Sequence, residues 1–419
     1  MRITILSTSE QTGGAAIAAN RLLKALINNG VEAIELVLKK QTDDKLIVSI
    51  QDSFFRKLYA TFAFLWERLS IFISNRFSKK NLFQISIANT GFDISKHPLI
   101  QSADIIHIHW INQGFLSLNA IQKLIETGKP VVWTLHDLWA ATSICHYPGN
   151  CIKYETECYD CPFLLGNIHH DLSHKVFVRK KKLNFNQITY VGCSHWISEQ
   201  AKKSFLLKDA TITAIPNPID IKNFSSKDKI SARKRFQLPL DKHLLLFTAA
   251  KISDTRKGGI HFIHACHSLC LEYPELAQNI EVVLMGKGED SFFSNINLKT
   301  HKLGYIADNE SLSDIYSAMD IFVIPSLEDN LPNTIMEAMA CGTPCVGFNV
   351  GGIPEMIDHK KNGYVAAYTD SEDLANGIIW VLENLETKEL SKACIDKVQT
   401  YYTEKIVTKQ YTNLYKQLL

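Results

Sequence analysis

Two carboxylates, Asp329 and Glu337, stand on either side of a predicted strand-to-helix junction, with seven residues between them. The apolar run Ile321–Ile324 predicts a buried strand, and the next helix is predicted to start near Asn333. The N-terminus of a helix presents backbone N–H groups and the positive end of its dipole, which suit a phosphate. A carboxylate one turn into such a helix can accept hydrogen bonds from a ribose. The pattern indicates a nucleotide-sugar pocket; an ordinary strand-loop-helix unit is the alternative.

Cations precede another predicted helix. Lys251 ends a predicted strand, and Arg256 and Lys257 come directly before a helix that is predicted to begin near Gly258. Cations at such a place can hold a diphosphate and stabilise the charge that grows on it as a glycosidic bond breaks. A solvated basic loop is the alternative.

Glycines at two further strand ends could let a phosphate or a nucleotide approach the backbone closely. Gly13 and Gly14 follow the first predicted strand and open a helix. Gly286 follows a later strand and would shape a nucleotide pocket through its backbone. A tight turn that binds nothing is the alternative at both places. No G-x-G-x-x-G is present at the first turn, so a dinucleotide site is not expected there.

Histidines end two strands in the first half of the chain. His109 follows the run Ile105–Ile108, and His136 and Asp137 follow the run Val131–Leu135. Strand ends of this kind line the ligand site of an open α/β sheet. These three residues are therefore candidates to line the binding site of a second substrate, the acceptor of a transferred group. A histidine at a strand end is also common as a structural residue.

Strands and helices alternate along almost the whole chain, which predicts an α/β fold with doubly wound parallel sheets. Two prolines in three residues, Pro216 and Pro218, indicate a domain boundary. We predict one domain over residues 1–215 and a second over residues 216–402. Predicted buried strands lie at residues 3–6, 105–108, 131–135, 188–191, 244–248, 281–285, 321–324 and 344–348.

Composition sets broad limits. The chain has 419 residues, 46% of them hydrophobic and 21% charged, which indicates globular domains with full cores. A formal charge of +2 gives no reason to expect a nucleic-acid partner. The N-terminus lacks the pattern of a signal peptide, and no run of about 18 apolar residues predicts a membrane span. We therefore expect a cytoplasmic location.

Residues 326–344, which end in Gly342-Thr343-Pro344, and residues 351–355 after them resemble the donor-site signature of the family 4 retaining glycosyltransferases. Most members carry Glu at both acidic positions, whereas this chain has Asp329, with Glu328 beside it. Which of these two carboxylates meets the donor sugar is left open. The resemblance implies the GT-B architecture, in which two Rossmann-like domains face each other across a cleft, and a last helix, residues 403–419, that packs back on the first domain.

The resemblance also implies roles for the candidate residues. Lys257 matches the family's phosphate-binding lysine, and Lys251 replaces the usual arginine, so the charge is kept and the bidentate fork is lost. Gly13, Gly14 and Arg256 would approach the donor diphosphate. A second group of donor-binding residues lies in the later motifs: Gly286, Asn330 and Leu331.

Four residues would carry the reaction by the same resemblance: His136, Lys257, Asp329 and Glu337. His136 would bind the reacting sugar, and the leaving phosphate itself would take the acceptor proton. No Asp-x-Asp pair stands at a strand end, so catalytic Mg²⁺ is not expected and no cofactor is required for catalysis.

The implied function is retaining transfer of a sugar from a nucleotide-sugar donor to a glycan or lipid-linked acceptor, in the manner of bacterial surface-polysaccharide enzymes. Two alternatives remain open. One is a nucleotide-sugar epimerase of the same fold, which acts without an acceptor. The other is a non-catalytic partner subunit that keeps the fold, against which Lys257 and Glu337 speak.

Four cysteines within seventeen residues form a separate pattern: Cys145, Cys151, Cys158 and Cys161. The last two make a C-x-x-C pair, and the set is dense enough to bind a structural zinc ion. The first spacing is wider than that of usual ligand pairs, so free thiols or a redox pair are equal alternatives. His146 is a candidate to replace one of the four ligands.

Residues 54–77 predict an amphipathic helix with basic residues along it and Trp66 on its apolar side. Such a helix can lie on an anionic bilayer, which would place the protein at the inner face of the cell membrane. Packing of the helix on the first domain is the alternative.

Overall fold

The computed structural model describes residues 1–166, 170–251, 254–288, 295–387 and 389–419. The chain divides into two compact units, here called unit 1 and unit 2. Unit 1 comprises Met1–Pro218 and Val407–Leu419, and unit 2 comprises Ile219–Ile406. The boundary predicted from the two prolines, between residues 215 and 216, lies three residues before the observed one.

Unit 1 is built on a parallel sheet whose described strands stand in the order β3-β2-β1-β4-β5-β6-β7. The central strands are buried over their whole length, which is why their sequences read as continuous apolar runs. The strands are β1 Arg2–Ser9, β2 Glu32–Lys39, β3 Ile47–Ser49, β4 Ile105–Ile108, β5 Val131–Leu135, β6 Ile188–Gly192 and β7 Thr211–Ala214.

Unit 2 repeats this arrangement with a parallel sheet whose described strands stand in the order β10-β9-β8-β11-β12-β13. In both sheets the order reverses beside the first strand of the unit, as in Rossmann-like folds. The strands are β8 His243–Lys251, β9 Ile280–Lys287, β10 Lys299–Gly304, β11 Ile321–Ile324, β12 Cys345–Phe348 and β13 Gly363–Ala366. The predicted α/β fold class with two Rossmann-like doubly wound domains is confirmed.

Helices connect the strands in both units. In unit 1 they are α1 Gly14–Asn28, α2 Phe54–Ser74, α3 Pro98–Ser102, α4 Leu118–Ile125, α5 Leu172–Lys181 and α6 His195–Lys202. In unit 2 they are α7 Lys229–Arg235, α8 Gly259–Glu272, α9 Pro274–Ala277, α10 Asn309–Ala318, α11 Asn333–Ala340, α12 Ile353–Met356, α13 Ser371–Asn384 and α14 Glu389–Tyr401. The last helix, α15 Glu404–Leu418, crosses the division and belongs to unit 1 from Val407.

The end of α15 is fixed to the sheet of unit 1 by buried tyrosines. Tyr415 and His107 share a hydrogen bond of 2.7 Å, and Tyr411 and Thr134 share one of 2.9 Å. Both tyrosines are buried among the apolar residues of β1, β4 and α1. The tyrosines therefore give His107 Nδ1 its partner and Thr134 Oγ1 a further one in the buried layer between α15 and the sheet.

Two features of the sequence prediction need correction at the level of elements. Helix α2 ends at Ser74 rather than at residue 77, because Arg76 and Phe77 adopt the left-handed backbone conformation with φ of 54° and 58°. Strand β9 continues through Gly286 to Lys287, so Gly286 lies inside the strand and not after it.

Candidate functional site

The candidate site of unit 2 lies where its strand order reverses. Strands β8 and β11 are neighbours in the sheet although β9 and β10 lie between them in the sequence. In sheets of this kind, ligands bind at the carboxyl ends of the strands next to the reversal. Lys251 is the last residue of β8, and its side chain lies outside the described part of the chain. A short 3-10 turn, Thr255–Lys257, follows and presents the two other predicted cations.

Lys257 and Asp329 form an ion pair at this edge. The Lys257 Nζ atom donates to Asp329 Oδ2 at 2.6 Å, and Ser326 Oγ donates to the same oxygen at 3.2 Å. The side chains of Lys257 and Asp329 are 25% and 12% exposed, so the pair is shielded but reachable from solvent. The structure thus brings together two predicted catalytic residues and shows that Asp329, rather than its neighbour Glu328, is the carboxylate bonded to Lys257.

Two glycines allow the surrounding loops to approach this ion pair closely. Gly258 has a φ of +67°, and a Cβ there would lie 1.7 Å from the carbonyl oxygen of Pro325. Gly351 has a φ of +61°, and a Cβ there would lie 1.7 Å from the carbonyl oxygen of Asp329. Any side chain at either position would push the loop after β8 or the loop after β12 away from the loop after β11.

Glu337 lies in the second turn of α11 and is 5% exposed. Its Oε2 atom accepts a hydrogen bond of 3.0 Å from the hydroxyl of Tyr316, which is fully buried on α10. The bond fixes the orientation of one carboxylate oxygen. The other two predicted residues of this motif, Asn330 and Leu331, are buried in the loop before α11.

Three helices that start at the reversal points of the two sheets have N-caps without a capping side chain. The N-cap residues are Gly13 for α1, Gly258 for α8 and Pro332 for α11. In contrast, Ser117, Ser194, Asp308 and Asp370 cap α4, α6, α10 and α13 with their side-chain oxygens. An acceptor supplied by a ligand, such as a phosphate oxygen, can take the place of the missing cap.

The remaining predicted donor residues are placed as follows. The Arg256 guanidinium lies 3.4 Å from Asp254, and the two side chains are each 36% exposed. Gly286 has a φ of 146° near the end of β9. The next residue, Lys287, places its Nζ atom 4.6 Å from the centre of the ring of Tyr305, an exposed side chain after β10. Neither Arg256 nor Gly286 is brought into contact with the Lys257–Asp329 pair in the described hydrogen bonds.

Unit 1 contains a row of three histidines at the carboxyl ends of β4 and β5, of which His107 and His109 are buried and His136 is partly exposed. His109 Nδ1 and His136 Nε2 share a hydrogen bond of 2.8 Å, and His107 Nε2 and Thr134 Oγ1 share another of 2.8 Å. Burial lowers the pKa of His136 to about 4 and that of His107 to about 3. Burial, together with the two neighbouring histidines, also lowers the pKa of His109 well below its usual value. These imidazoles are therefore neutral at pH 7, and one of His109 and His136 donates to the other.

Asp137 remains ionised beside these neutral rings. Burial raises its pKa, but the facing His146 and the hydrogen bonds to the carboxylate outweigh burial and bring the pKa below its usual value. The donors are His146 Nδ1 at 2.7 Å, Trp110 Nε1 at 3.0 Å and the Trp139 backbone N–H at 2.9 Å. His146 also bonds Ser86 Oγ through Nε2 at 3.0 Å. Both ring nitrogens of His146 thus have hydrogen-bond partners, and its role as a replacement zinc ligand stays a prediction.

A recess opens beside these residues and is lined in part by His109, Trp110, Asn112, His136 and Asp137. His109 Nε2 and Asn112 Nδ2 are buried here without a hydrogen-bond partner in the described part of the chain. Unpaired buried polar atoms are costly unless a ligand or water satisfies them, so the recess suits a polyhydroxylated ligand. The sequence prediction missed Asn112 and Trp110; their only signal was their position just after β4.

The loop after β1 is the remaining predicted phosphate site. Gly13 has a φ of +92° and a Cβ there would meet no atom within 4 Å, so the glycine serves the backbone conformation and leaves open space. Gly14 is the first residue of α1. The backbone N–H of Thr8 donates to the carbonyl of Trp110 at 2.7 Å, which ties the ends of β1 and β4 together. The loop that carries Gly13 therefore belongs to the same edge of the sheet as the histidines.

The four cysteines of the predicted zinc site line one common cavity in unit 1. Burial raises the pKa of the Cys158 thiol to about 11 and that of the Cys161 thiol to about 12. No group of three or more His, Cys, Asp or Glu side chains among the described residues is spaced to hold a metal ion. The loop gathers the cysteines without placing them at ligand distances, and the zinc site stays a prediction.

Residues 242–384, all within unit 2, match the family model described as Glycosyl transferases group 1. An uncharacterized glycosyltransferase of Methanocaldococcus jannaschii is 24% identical over 366 residues, which are 80% of this chain and 90% of that protein. The putative colanic acid biosynthesis glycosyl transferase WcaC of Escherichia coli is 24% identical over 333 residues, which are 75% of this chain and 76% of that protein.

Solved structures share the fold along the whole chain. Sucrose-phosphate synthase from Thermosynechococcus elongatus has a TM-score of 0.66 at 19% identity, with 100% of this chain and 99% of that chain covered. Anabaena HepE, solved in complex with UDP and glucose, has a TM-score of 0.64 at 16% identity, with 99% of each chain covered. The fold is that of the GT-B glycosyltransferases. The family-model match and the two relatives support a glycosyltransferase.

Proposed function

We propose that the protein is a retaining glycosyltransferase of the family 4 type, which moves a sugar from a nucleotide-sugar to a glycan or lipid-linked acceptor in surface-polysaccharide biosynthesis. The observation that carries the proposal is the Lys257–Asp329 ion pair at the strand-order reversal of unit 2, 2.6 Å long and only partly exposed. A cation and a carboxylate at this place match the needs of a diphosphate and of a sugar hydroxyl, respectively.

Donor binding is assigned to unit 2. Lys257, together with the uncapped N-termini of α8 and α11, would hold the diphosphate, and Glu337 would accept hydrogen bonds from the ribose. We propose a UDP-sugar as the donor class, because HepE, which shares the fold, was solved with UDP and glucose. The relative WcaC, named for colanic acid biosynthesis, motivates the assignment to surface polysaccharide.

The acceptor side is assigned to the recess of unit 1. A neutral His136 can donate a hydrogen bond to a sugar hydroxyl or accept one from it. Because the ring is uncharged, it does not repel the positive charge that develops on the reacting sugar. Its low pKa argues against a role as general base at neutral pH. We therefore propose that the leaving phosphate oxygen takes the acceptor proton as the new glycosidic bond forms on the face from which the phosphate departs.

The transfer requires no reactant besides the donor and the acceptor. The bond between the sugar C1 and the phosphate oxygen breaks, its electron pair stays on the nucleoside diphosphate, and the acceptor oxygen bonds to C1 while its proton passes to that phosphate. Lys257 and the helix dipoles would stabilise the charge that grows on the diphosphate, a type of stabilisation worth about 2.7–4 kcal/mol for a single well-placed donor. We expect no requirement for added Mg²⁺.

The test is a panel of UDP-, GDP-, ADP- and TDP-sugars with nucleotide release as the readout. Wild type is compared with Lys257→Ala and Glu337→Ala, and Lys361→Ala, at an exposed position of unit 2, is the matched control. Release from one donor that is lost in both site variants and kept in the control supports the proposal. Absence of release, together with absence of nucleotide binding by ligand-observed NMR, overturns it in favour of a non-catalytic subunit.

Product analysis separates transfer from epimerisation. With the active donor and extracted glycan or lipid acceptors, a transferase joins the labelled sugar to a second molecule and keeps the anomeric configuration. A nucleotide-sugar epimerase changes the free sugar without any acceptor. Chromatography of the labelled products, followed by NMR of the anomeric proton, distinguishes these outcomes.

A further inference from the structure

Helix α2 of unit 1 exposes most of its large apolar side chains, which an ordinary surface helix would bury. Its buried positions are small or charged: Ala60, Ala63, Glu67 and Arg68, with Ile71 as the only large apolar residue among them. Its long apolar side chains point to solvent, and Phe54 and Phe55 are 73% and 79% exposed. An amphipathic helix that only had to pack on its own domain would present the opposite face.

Polar contacts fix α2 in this orientation. Glu67 Oε1 accepts the backbone N–H groups of Ile87 and Ala88, each at 2.8 Å, and Arg68 Nη1 donates to the carbonyl of Ile85 at 3.1 Å. Thr90 Oγ1 donates to the carbonyl of Ala63 at 2.9 Å. Rotation of the helix to bury its apolar face would break these bonds and leave the backbone N–H groups of Ile87 and Ala88 without their acceptor.

The outward face is a continuous apolar stripe. Its members recur at three- and four-residue steps, and the rings of Phe62 and Trp66 stack at 6.0 Å. We name this surface the α2 stripe; it consists of Phe54, Phe55, Leu58, Tyr59, Phe62, Leu65, Trp66, Leu69 and Ile73, with Phe77 just beyond the helix. Exposed apolar surfaces of this extent mark sites of binding to membranes or to other macromolecules.

The exposed charges around the stripe are almost all positive. Between residues 52 and 83, five exposed basic side chains face one exposed acidic side chain, Asp52, which pairs with Arg56 at 2.8 Å. Arg68, also within this range, is buried and does not contribute. The exposed basic residues flank the two ends of the stripe: Arg56, Lys57, Arg76, Lys79 and Lys80.

We propose that the α2 stripe lies on the surface of a lipid bilayer that contains anionic headgroups. The aromatic and leucine side chains would enter the boundary between headgroups and acyl chains, and the lysines and arginines at both ends would bind the anionic headgroups. No helix in the described part of the chain is long and apolar enough to cross a membrane, so the helix would lie in the interface.

A second copy of the chain fits the stripe less well. In a twofold dimer the two helices run either antiparallel or parallel, and both arrangements place a basic end of one helix, Arg56 and Lys57 or Lys79 and Lys80, near a basic end of the other. These like charges would repel each other, whereas an anionic bilayer attracts both ends at once. The proposal does not depend on the donor site, although a lipid-linked acceptor would make bilayer contact useful.

The test is co-sedimentation of the full chain with vesicles of phosphatidylcholine alone and with vesicles that also contain phosphatidylglycerol. The double variant Phe62→Glu/Leu65→Glu removes the apolar contact at exposed positions, and Leu271→Glu, at an exposed leucine of unit 2, is its control. The variant Lys79→Glu/Lys80→Glu removes the charge contact, with Lys222→Glu/Lys361→Glu as its matched control.

We expect wild type and both controls to bind the anionic vesicles and to be released by salt. Reversal of Lys79 and Lys80 should lower the partition coefficient by about 10-fold or more, because each basic residue near such a surface contributes about 1 kcal/mol. The Phe62→Glu/Leu65→Glu variant should not bind and should keep its nucleotide-binding affinity. Equal sedimentation of wild type and this variant, or a wild-type dimer that the variant abolishes without any vesicle binding, overturns the proposal.

Discussion

Lys257 donates a 2.6 Å hydrogen bond to Asp329, so the cation predicted to bind the donor diphosphate is neutralised by the carboxylate predicted to bind the donor sugar. The two residues are 72 positions apart in the sequence. Under the proposed function, donor binding exchanges this internal pair for two external contacts, Lys257 with phosphate and Asp329 with a sugar hydroxyl. The pair therefore keeps two partly buried charges matched until a donor replaces it.

The variant Asp329→Asn tests this exchange. Without the carboxylate, Lys257 is freely available to phosphate, so UDP should bind about 3- to 10-fold tighter, while kcat/KM for transfer should fall about 100-fold. Calorimetry measures the first quantity and nucleotide release the second. In the double variant Lys257→Ala/Asp329→Asn, the gain in UDP affinity should disappear; if it persists, Asp329 does not act through Lys257.

The cations of the turn after β8 should differ in importance. Lys257→Ala should lower kcat/KM by about 100-fold or more, because Lys257 is shielded and held beside the uncapped end of α8. Arg256→Ala should cost less than about 10-fold, because the arginine side chain is 36% exposed and pairs with Asp254. Steady-state kinetics with saturating acceptor decides the order, and a larger loss in Arg256→Ala would contradict it.

The fold was predictable from sequence because fully buried parallel strands read as short apolar runs between helical patterns. The runs at Ile105–Ile108, Val131–Leu135 and Ile321–Ile324 coincide with β4, β5 and β11. Because β4 and β5 are neighbours in the sheet, the histidines after them could be expected to meet, and His109 and His136 do share a hydrogen bond.

The details of the site were less predictable, because they depend on how loops turn. Sequence left Glu328 and Asp329 as equals, and only the approach of the loop with Gly351 and the bond from Lys257 distinguish Asp329. His146 looked like a metal ligand from its place among the cysteines, yet its ring is turned to Asp137. Long-range side-chain pairs of this kind leave no spacing in the sequence.

His136 should not titrate in the physiological range. Burial lowers its pKa from 6.5 to about 4, so the imidazole stays neutral from pH 8 down to about pH 5. In NMR of the protein with labelled histidine, the His136 signal, assigned by its absence in His136→Gln, should not shift over this range. A midpoint near pH 6.5 would show that the ring is exposed and charged on acidification, and would remove the argument against its role as general base.

Glu35, fully buried on β2, should make the folded protein less stable at alkaline pH. Burial, with nearby Glu10, raises the pKa of Glu35 to about 8, whereas the unfolded chain has a value near 4.5. Between these values the unfolded state loses the proton and the folded state keeps it, so stability falls as the pH rises. Glu35→Gln should therefore be more stable than wild type by about 1–3 kcal/mol at pH 8.

Urea unfolding at pH 5 and pH 8, followed by hydrogen exchange in β1 and β2, measures this effect in unit 1. The advantage of Glu35→Gln should be smaller at pH 5. Glu32→Gln, at an exposed position of the same strand, is the control and should change stability by less than about 1 kcal/mol at either pH. A Glu35→Gln protein that is less stable than wild type at pH 8 would show that the carboxylate is ionised and paired in the folded state.

The cysteine cavity of unit 1 should bind one zinc ion if the loop closes on it. Its four cysteines already line one cavity, and the nearby Lys180 partly offsets the rise that burial causes in the pKa of Cys158. Protein purified from zinc-supplemented cells should then contain about one zinc per chain, and Cys158→Ser/Cys161→Ser should lose the metal and part of its thermal stability. Cys270→Ser, on α8, is the control and should keep both.

Metal-free protein in which all four thiols react with a thiol reagent would favour free cysteines. A disulfide between Cys158 and Cys161 found by mass spectrometry would favour a redox pair.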